Sequence, residues 1–270
     1  MSVRVYSGPH ADRRRGDGGA VVRLFPWILA ALTILAQIAW PLTAGSTRDT
    51  ITVASVVLFF LATVVHSIIT RKWLWTLGWL GISMGIGLIA EILGTNTSFP
   101  FGVYTYGPRL GPALLGVPLL IPMAWAMMSY PALLAARRLA QGLLSAPLVG
   151  ALALASWDLF LDPQMVSEGH WTWTDTGPQL PGIPGVPLQN FIGWFFVSLL
   201  IMLALDRLPR RRTDGAAGDG VPALLYLWTY YSSVLLNGVF VHRPGVALWG
   251  AVIMGAVAIP YSYALWTGRD

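Results

Sequence analysis

Apolar runs of membrane-spanning length recur along this chain from one end to the other, at roughly 24–42, 51–69, 74–93, 117–136, 144–161, 188–206, 221–241 and 245–265. Most are near the ~20 residues that a helix needs to cross the hydrocarbon core of a bilayer, and nothing between them is long enough to fold separately. With 55% hydrophobic and 11% charged residues, the composition lies outside the range of soluble globular domains. The predicted fold class is therefore all-α, a polytopic membrane helix bundle of about eight transmembrane helices. The expected organisation is a cytoplasmic basic arm at 1–23, a single transmembrane helical domain at 24–265 and a cytoplasmic tail at 266–270. The run at 117–136 carries Pro118, Pro122 and Pro131, so it is the segment least expected to be one straight helix.

Lysine and arginine in the connections set the orientation. With the N-terminus inside, 14 of the 17 fall on the cytoplasmic side: five in the first 23 residues, then Arg71, Lys72, Arg137, Arg138, Arg207, Arg210, Arg211, Arg212 and Arg269. Only Arg48, Arg109 and Arg243 fall outside. The alternation holds across all eight segments and predicts an N-in, C-in protein of the cell membrane. It also accounts for the formal net charge of +5 through the anionic lipid surface, and no nucleic-acid partner is expected. The first 23 residues lack the small-residue cleavage pattern of a signal peptide and are expected to form a short disordered arm. The chain has no Cys, which excludes thiolate metal sites, cysteine nucleophiles and disulfides.

In this topology the two longest connections, roughly 94–116 and 162–187, share the outer side. Glu91, Asp158 and Asp162 lie at the helix ends from which those connections start. Ionisable groups inside spans are costly and normally face a cavity or a partner, which makes these three the leading functional candidates. Asp158 and Asp162 are four residues apart, so a helix places both on one face, about 6 Å apart along its axis. Pro163 directly follows Asp162 and predicts a helix end there. The first connection reads G-T-N-T-S-F-P-F-G-V-Y-T-Y-G-P, and its turn residues can fold Phe99, Phe101, Tyr104 and Tyr106 back as a lining. The second adds Trp157, Trp171, Trp173, Phe191 and Trp194. An interfacial aromatic belt is the plain alternative for any one of these rings, but a belt does not call for carboxylates at the same depth.

The ordered set E-x-x-G-T-x-T-x-x-P-F-G-x-Y-x-Y, W-D-L-x-x-D-P, G-x-W-x-W and G-x-P-x-x-N-F-x-G-W resembles the integral-membrane carotenoid biosynthesis family typified by CruF-type carotenoid hydratases. The resemblance covers roughly 85 to 207; outside it, the helices match in hydrophobic character alone. It implies addition of water across the terminal double bond of an acyclic carotenoid end group, of the 1',2'-hydratase or bacterioruberin-precursor hydratase type. The implied partners are a membrane-embedded carotenoid, the lipid bilayer and other carotenoid biosynthesis enzymes.

Hydrating such an alkene means protonating a weakly basic carbon and capturing a tertiary carbocation with water. A buried carboxyl beside a second carboxylate can serve as the general acid, its partner can orient the water, and aromatic faces attract the cation. On this reading Glu91, Asp158 and Asp162 are catalytic. Phe99, Phe101, Tyr104, Tyr106, Trp157, Trp171, Trp173, Asn190 and Trp194 bind substrate, and no metal or cofactor is expected. Asp158 has an alternative partner in Arg109, and Asn190 an alternative role as a helix cap. Glu168, His170 and Asp175 are expected to be solvated in the second connection. Structural roles are expected for His66, Gln37 and Asn237, a close helix contact at Gly81 and Gly85, an interfacial pair of Asp206 with Arg207, and a flexible cytoplasmic linker at 207–220.

Three other readings stay open. A carotenoid or lycopene cyclase shares the protonation but closes a ring. An intramembrane prenyltransferase would use D-x-x-x-D to hold Mg²⁺ against a diphosphate. A transporter or a non-catalytic carotenoid-binding scaffold would need no catalytic group at all.

Overall fold

A computed structural model describes residues 14–209 and 218–268, and helix occupies each of the eight apolar segments. The helices are α1 (Arg14–Ala39), α2 (Gly45–Arg71), α3 (Trp73–Thr97), α4 (Leu120–Leu139), α5 (Ser145–Ala155), α6 (Asp158–Ser167), α7 (Leu188–Leu205), α8 (Gly220–Leu235), α9 (Pro244–Ile253) and α10 (Gly255–Thr267). Two segments are broken: α5 and α6 share one, α9 and α10 another, and α8 continues into a π-helical turn at Leu236–Phe240. The result is an all-α polytopic membrane bundle. Among the described residues, five helical stretches are long and apolar enough to cross a membrane, and the α9–α10 pair, bent by 54°, would make a sixth.

Helix α4 does not meet that test, and its surroundings explain why it need not. It is buried at every residue from Leu120 to Ala136 except Met123 and touches α2, α3, α5, α7, α8 and α10. A helix enclosed by other helices meets no lipid. Its prolines do not divide it: Pro122 falls in the first turn, where a missing N–H costs little, and Pro131 is accommodated inside.

The connections sort to two ends of the bundle. Those after α1, α3, α6 and α8 meet at one end, where Arg48 pairs with Glu168 at 2.8 Å, Arg109 with Asp49 at 3.1 Å, and Arg243 donates to the Pro163 carbonyl at 3.1 Å. Those after α2, α4, α5's neighbour α7 and the end of α10 meet at the other. There Arg71 pairs with Asp219 at 2.5 Å, Arg137 with Asp206 at 3.3 Å, and Arg138 donates to the Ala264 carbonyl at 3.3 Å. The three arginines expected apart from the rest do lie together at the loop-rich end.

At that end the two long connections are joined by short strands. β1 (Tyr104–Tyr106) pairs antiparallel with β4 (Trp171–Trp173), with Tyr104 opposite Trp173 and Tyr106 opposite Trp171. A two-residue pair, β2 (Ala113–Leu114) with β3 (Val117–Pro118), leads into α4.

Several expectations need correction. α1 already begins at Arg14, inside the segment expected as an arm, and residues 1–13 lie outside the described residues, as do 210–217 of the expected linker and 269–270 of the tail. Gly81 and Gly85 face open space, and the close approaches occur elsewhere: a Cβ at Gly87 would sit 2.7 Å from the Trp125 ring, and one at Gly193 2.8 Å from the Pro100 carbonyl. Asp206 pairs with Arg137 across helices instead of with its sequence neighbour. Asn237 bonds within its own helix, to the Ser233 carbonyl at 2.9 Å, whereas Gln37 does bridge helices by accepting from Trp228 at 2.7 Å. His66 sits 3.1 Å from the Tyr130 hydroxyl at the basic end, away from the two long connections.

Candidate functional site

Glu91 lies near the end of α3 with its side chain turned into the bundle, 4% exposed. Its Oε2 accepts from the hydroxyls of Tyr104 at 2.5 Å and Tyr106 at 2.7 Å, and its Oε1 accepts from the Trp125 indole at 3.1 Å. Two glycines on α3 make room for these donors. A Cβ at Gly94 would lie 2.9 Å from the Tyr104 hydroxyl, and one at Gly87 would strike Trp125. The strand pairing fixes both tyrosines under Glu91 from the other side. Burial first, and then the Glu91 carboxylate, push both tyrosine hydroxyls above their ordinary range, so they remain protonated donors.

Asp158 and Asp162 share one face of α6, as the four-residue spacing predicts. The helix break falls earlier than expected, at Ser156–Trp157, and Pro163 lies inside α6 instead of ending it. The physical reason is the register: restarting the helix at Asp158 turns its acidic face toward α7, where Asn190 sits on the first turn. The Asn190 amide donates to Asp158 Oδ2 at 2.7 Å and also to Asp162 Oδ2, so one nitrogen bridges both carboxylates. Trp171 of β4 donates to Asp162 Oδ1 at 3.0 Å. Asp158 is fully buried, and its Oδ1 has no hydrogen-bond partner among the described residues.

These groups meet at a largely aromatic cavity of about 630 Å³, counting its open mouth. Glu91 and Asp162 both line it, Asn190 stands at its wall, and Asp158 lies behind Asn190. The aromatic wall includes a stacked pair, Trp125 on Trp194 with ring centres 3.8 Å apart, and Phe101, Tyr104, Tyr106, Trp157, Trp171 and Trp173 complete it. No Lys or Arg side chain lines the cavity among the described residues. Such a chamber suits an apolar chain with a reactive end: hydrocarbon contacts along the wall, and acid, amide and phenol groups at one place.

Of the expected lining residues, Phe191 stays outside the cavity wall and Phe99 is turned away. Phe99 is 69% exposed, because the chain turns at Pro100, seated against Gly193 of α7, and only Phe101 continues inward. Glu168 and His170 are not solvated as expected. Glu168 pairs with Arg48, and His170 is buried 3.5 Å from Asp49, with burial and the neighbouring Arg109 holding its imidazole below the ordinary histidine range. Arg109, expected as a possible partner of Asp158, instead pairs with Asp49 and donates to the Glu168 carbonyl. Asp175 is exposed, as expected.

Sequence reasoning missed Trp125 and Thr52. Trp125 lies in an unbroken apolar run with nothing beside it to single it out; its one legible trace is Gly87, a glycine about one helical turn before Glu91. Thr52, on α2, lines the cavity from outside the region covered by the motifs.

A family model described as carotenoid biosynthesis protein matches residues 51–261. A bisanhydrobacterioruberin hydratase from Haloarcula japonica is 35% identical over 124 residues, which cover 43% of this chain and 40% of that protein. The chain thus spans about two fifths of the length of this curated relative. No solved structure matches.

Proposed function

We propose, for a chain that belongs to the family of carotenoid biosynthesis proteins, that it adds water to the terminal double bond of an acyclic carotenoid end group and gives a tertiary alcohol. The observation that carries this reading is the meeting of Glu91, Asp162 and Asn190 at one aromatic cavity, with Asp158 bridged to Asp162 behind it. The hydratase name of the similar protein supports it.

The roles follow from the bonding. Like charges that share a site resist joint ionisation, so the Asp158–Asp162 pair, tied by one amide, holds a proton between them and donates it through Asp162 to the alkene. Glu91 meets three donors and is kept as the acceptor: a carboxylate facing the tertiary carbocation across the cavity. The Trp125–Trp194 stack and the tyrosines offer π faces to that cation, each worth about 0.5–2 kcal/mol. Side chains of the chain itself supply every step.

The absence of a cationic group among the cavity's described lining weighs against a diphosphate substrate, and so against prenyl transfer. The protein is proposed to lie in the plasma membrane with both ends inside. The test is expression in a host that accumulates lycopene or γ-carotene, followed by mass spectra of the pigments. Gain of one water per end group is expected. An unchanged mass with a new ring would mean cyclisation, and a five-carbon gain would mean prenyl transfer; either would overturn the reading.

A further inference from the structure

A reaction that forms a carbocation must exclude water while the proton is transferred and then admit a single molecule. The cavity beside the carboxylates is built for the first half of that task. Its wall is mostly aromatic and aliphatic, and its polar groups are already bonded, Glu91 to Trp125, Asp162 to Trp171 and Asn190 to Asp158.

A second cavity, of about 700 Å³ counting its open mouth, lies between α1, α2, α6 and α8. Thr52, Val56, Trp157, Leu161 and Met165 line both cavities, so a single layer of side chains divides them. Its character is different: Gln37, Ser55, Gln164, Thr229 and Ser233 face it. Thr52, the polar member of the dividing layer, is committed on both sides, accepting from Trp40 at 2.9 Å and donating to the Arg48 carbonyl at 2.9 Å. Ser55, one turn along α2, is not. Its hydroxyl is buried and has no hydrogen-bond partner among the described residues. An unpaired buried hydroxyl is costly, and a cavity on which several polar groups converge is where proteins keep ordered water.

We infer that this second cavity is the water reservoir of the site and that Ser55 orients the water that passes beside Thr52 to capture the cation. The inference rests on the hydratase reading. The proton leaves the Asp158–Asp162 pair for the CH carbon of the alkene, and the adjacent tertiary carbon becomes the cation. The water oxygen forms the new C–O bond there, and the proton it sheds returns to the carboxylates. Alkene and water give alcohol, with no oxidant or reductant.

The test uses the purified full chain in deuterated water with a carotenoid bearing a ψ-end group, reading both alcohol formed and deuterium in the recovered alkene. Ser55→Val removes the hydroxyl, and Ser55→Thr keeps it in the same shape. Ser55→Val is expected to lower the alcohol about fivefold, the worth of one hydrogen bond, while deuterium in the recovered alkene rises, because a cation without water returns its proton. Ser55→Thr is expected to restore the wild-type ratio. An unchanged ratio in Ser55→Val, or the same loss of both signals in the Val and Thr variants, would overturn the reservoir. Wild-type protein that yields neither alcohol nor exchange would overturn the hydratase reading itself.

Discussion

Glu91 faces three donors, so Glu91→Gln would turn one of its two acceptor oxygens into a donor aimed at a hydroxyl or an indole N–H. Asp162→Asn would leave the Asn190 bridge its shape and remove the transferable proton. General acid–base catalysis contributes ~10²–10⁴ in rate, and each substitution is expected to lower hydration by that order in a folded, membrane-inserted protein. Asp175→Asn, at an exposed position of the second connection, is expected to stay within a few fold. Turnover of the purified variants, normalised to folded protein, checks all three. The acidic residues and Asn190 were legible in the sequence because a polar group in an apolar run needs a reason to be there. Which carboxylates share the cavity was not legible. The spacing puts Asp158 and Asp162 on one helix face without ranking them, whereas the turn at Ser156–Trp157 brings Asp162 to the cavity and leaves Asp158 behind Asn190.

At the scale of elements, α3 and α4 touch so closely that Trp125 reaches Glu91 only over a glycine. Gly87→Ala would put a Cβ 2.7 Å from the Trp125 ring, inside any real contact distance. Overpacking a core by one carbon costs about 1–3 kcal/mol, and Gly87→Ala is expected to lower the detergent-solubilised protein's melting temperature while Gly81→Ala, which faces open space, leaves it unchanged. Equal melting of the two variants would contradict this account of the interface. The place and order of the helical segments could be read from the apolar runs, since spanning length is a constraint that local sequence carries. Helix breaks and the strand pairing could not. Proline 163 looked like a terminator because its missing N–H normally ends a helix, yet α6 absorbs it. The pairing of Tyr104 with Trp173 joins residues from two separate connections, and no local signal encodes such a contact.

At the scale of the whole molecule, the proposed orientation would put the loop-rich end, and with it the cavity, on the side away from the cytoplasm. The chain has no cysteine, so single cysteines report position cleanly. Ala113→Cys and Thr176→Cys are expected to react in intact cells with an impermeant thiol reagent, and Gln141→Cys only after lysis; the reverse pattern would invert the orientation. The central claim is that the oxygen of the product comes from water admitted to the carboxylate cavity. The direct measurement is mass spectrometry of the product formed by the purified protein from a ψ-end carotenoid in water enriched in heavy oxygen. One heavy oxygen per hydrated end group is expected from the wild type, and its loss from Asp162→Asn. An alcohol without the label, or undiminished labelled alcohol from Asp162→Asn, would contradict the account.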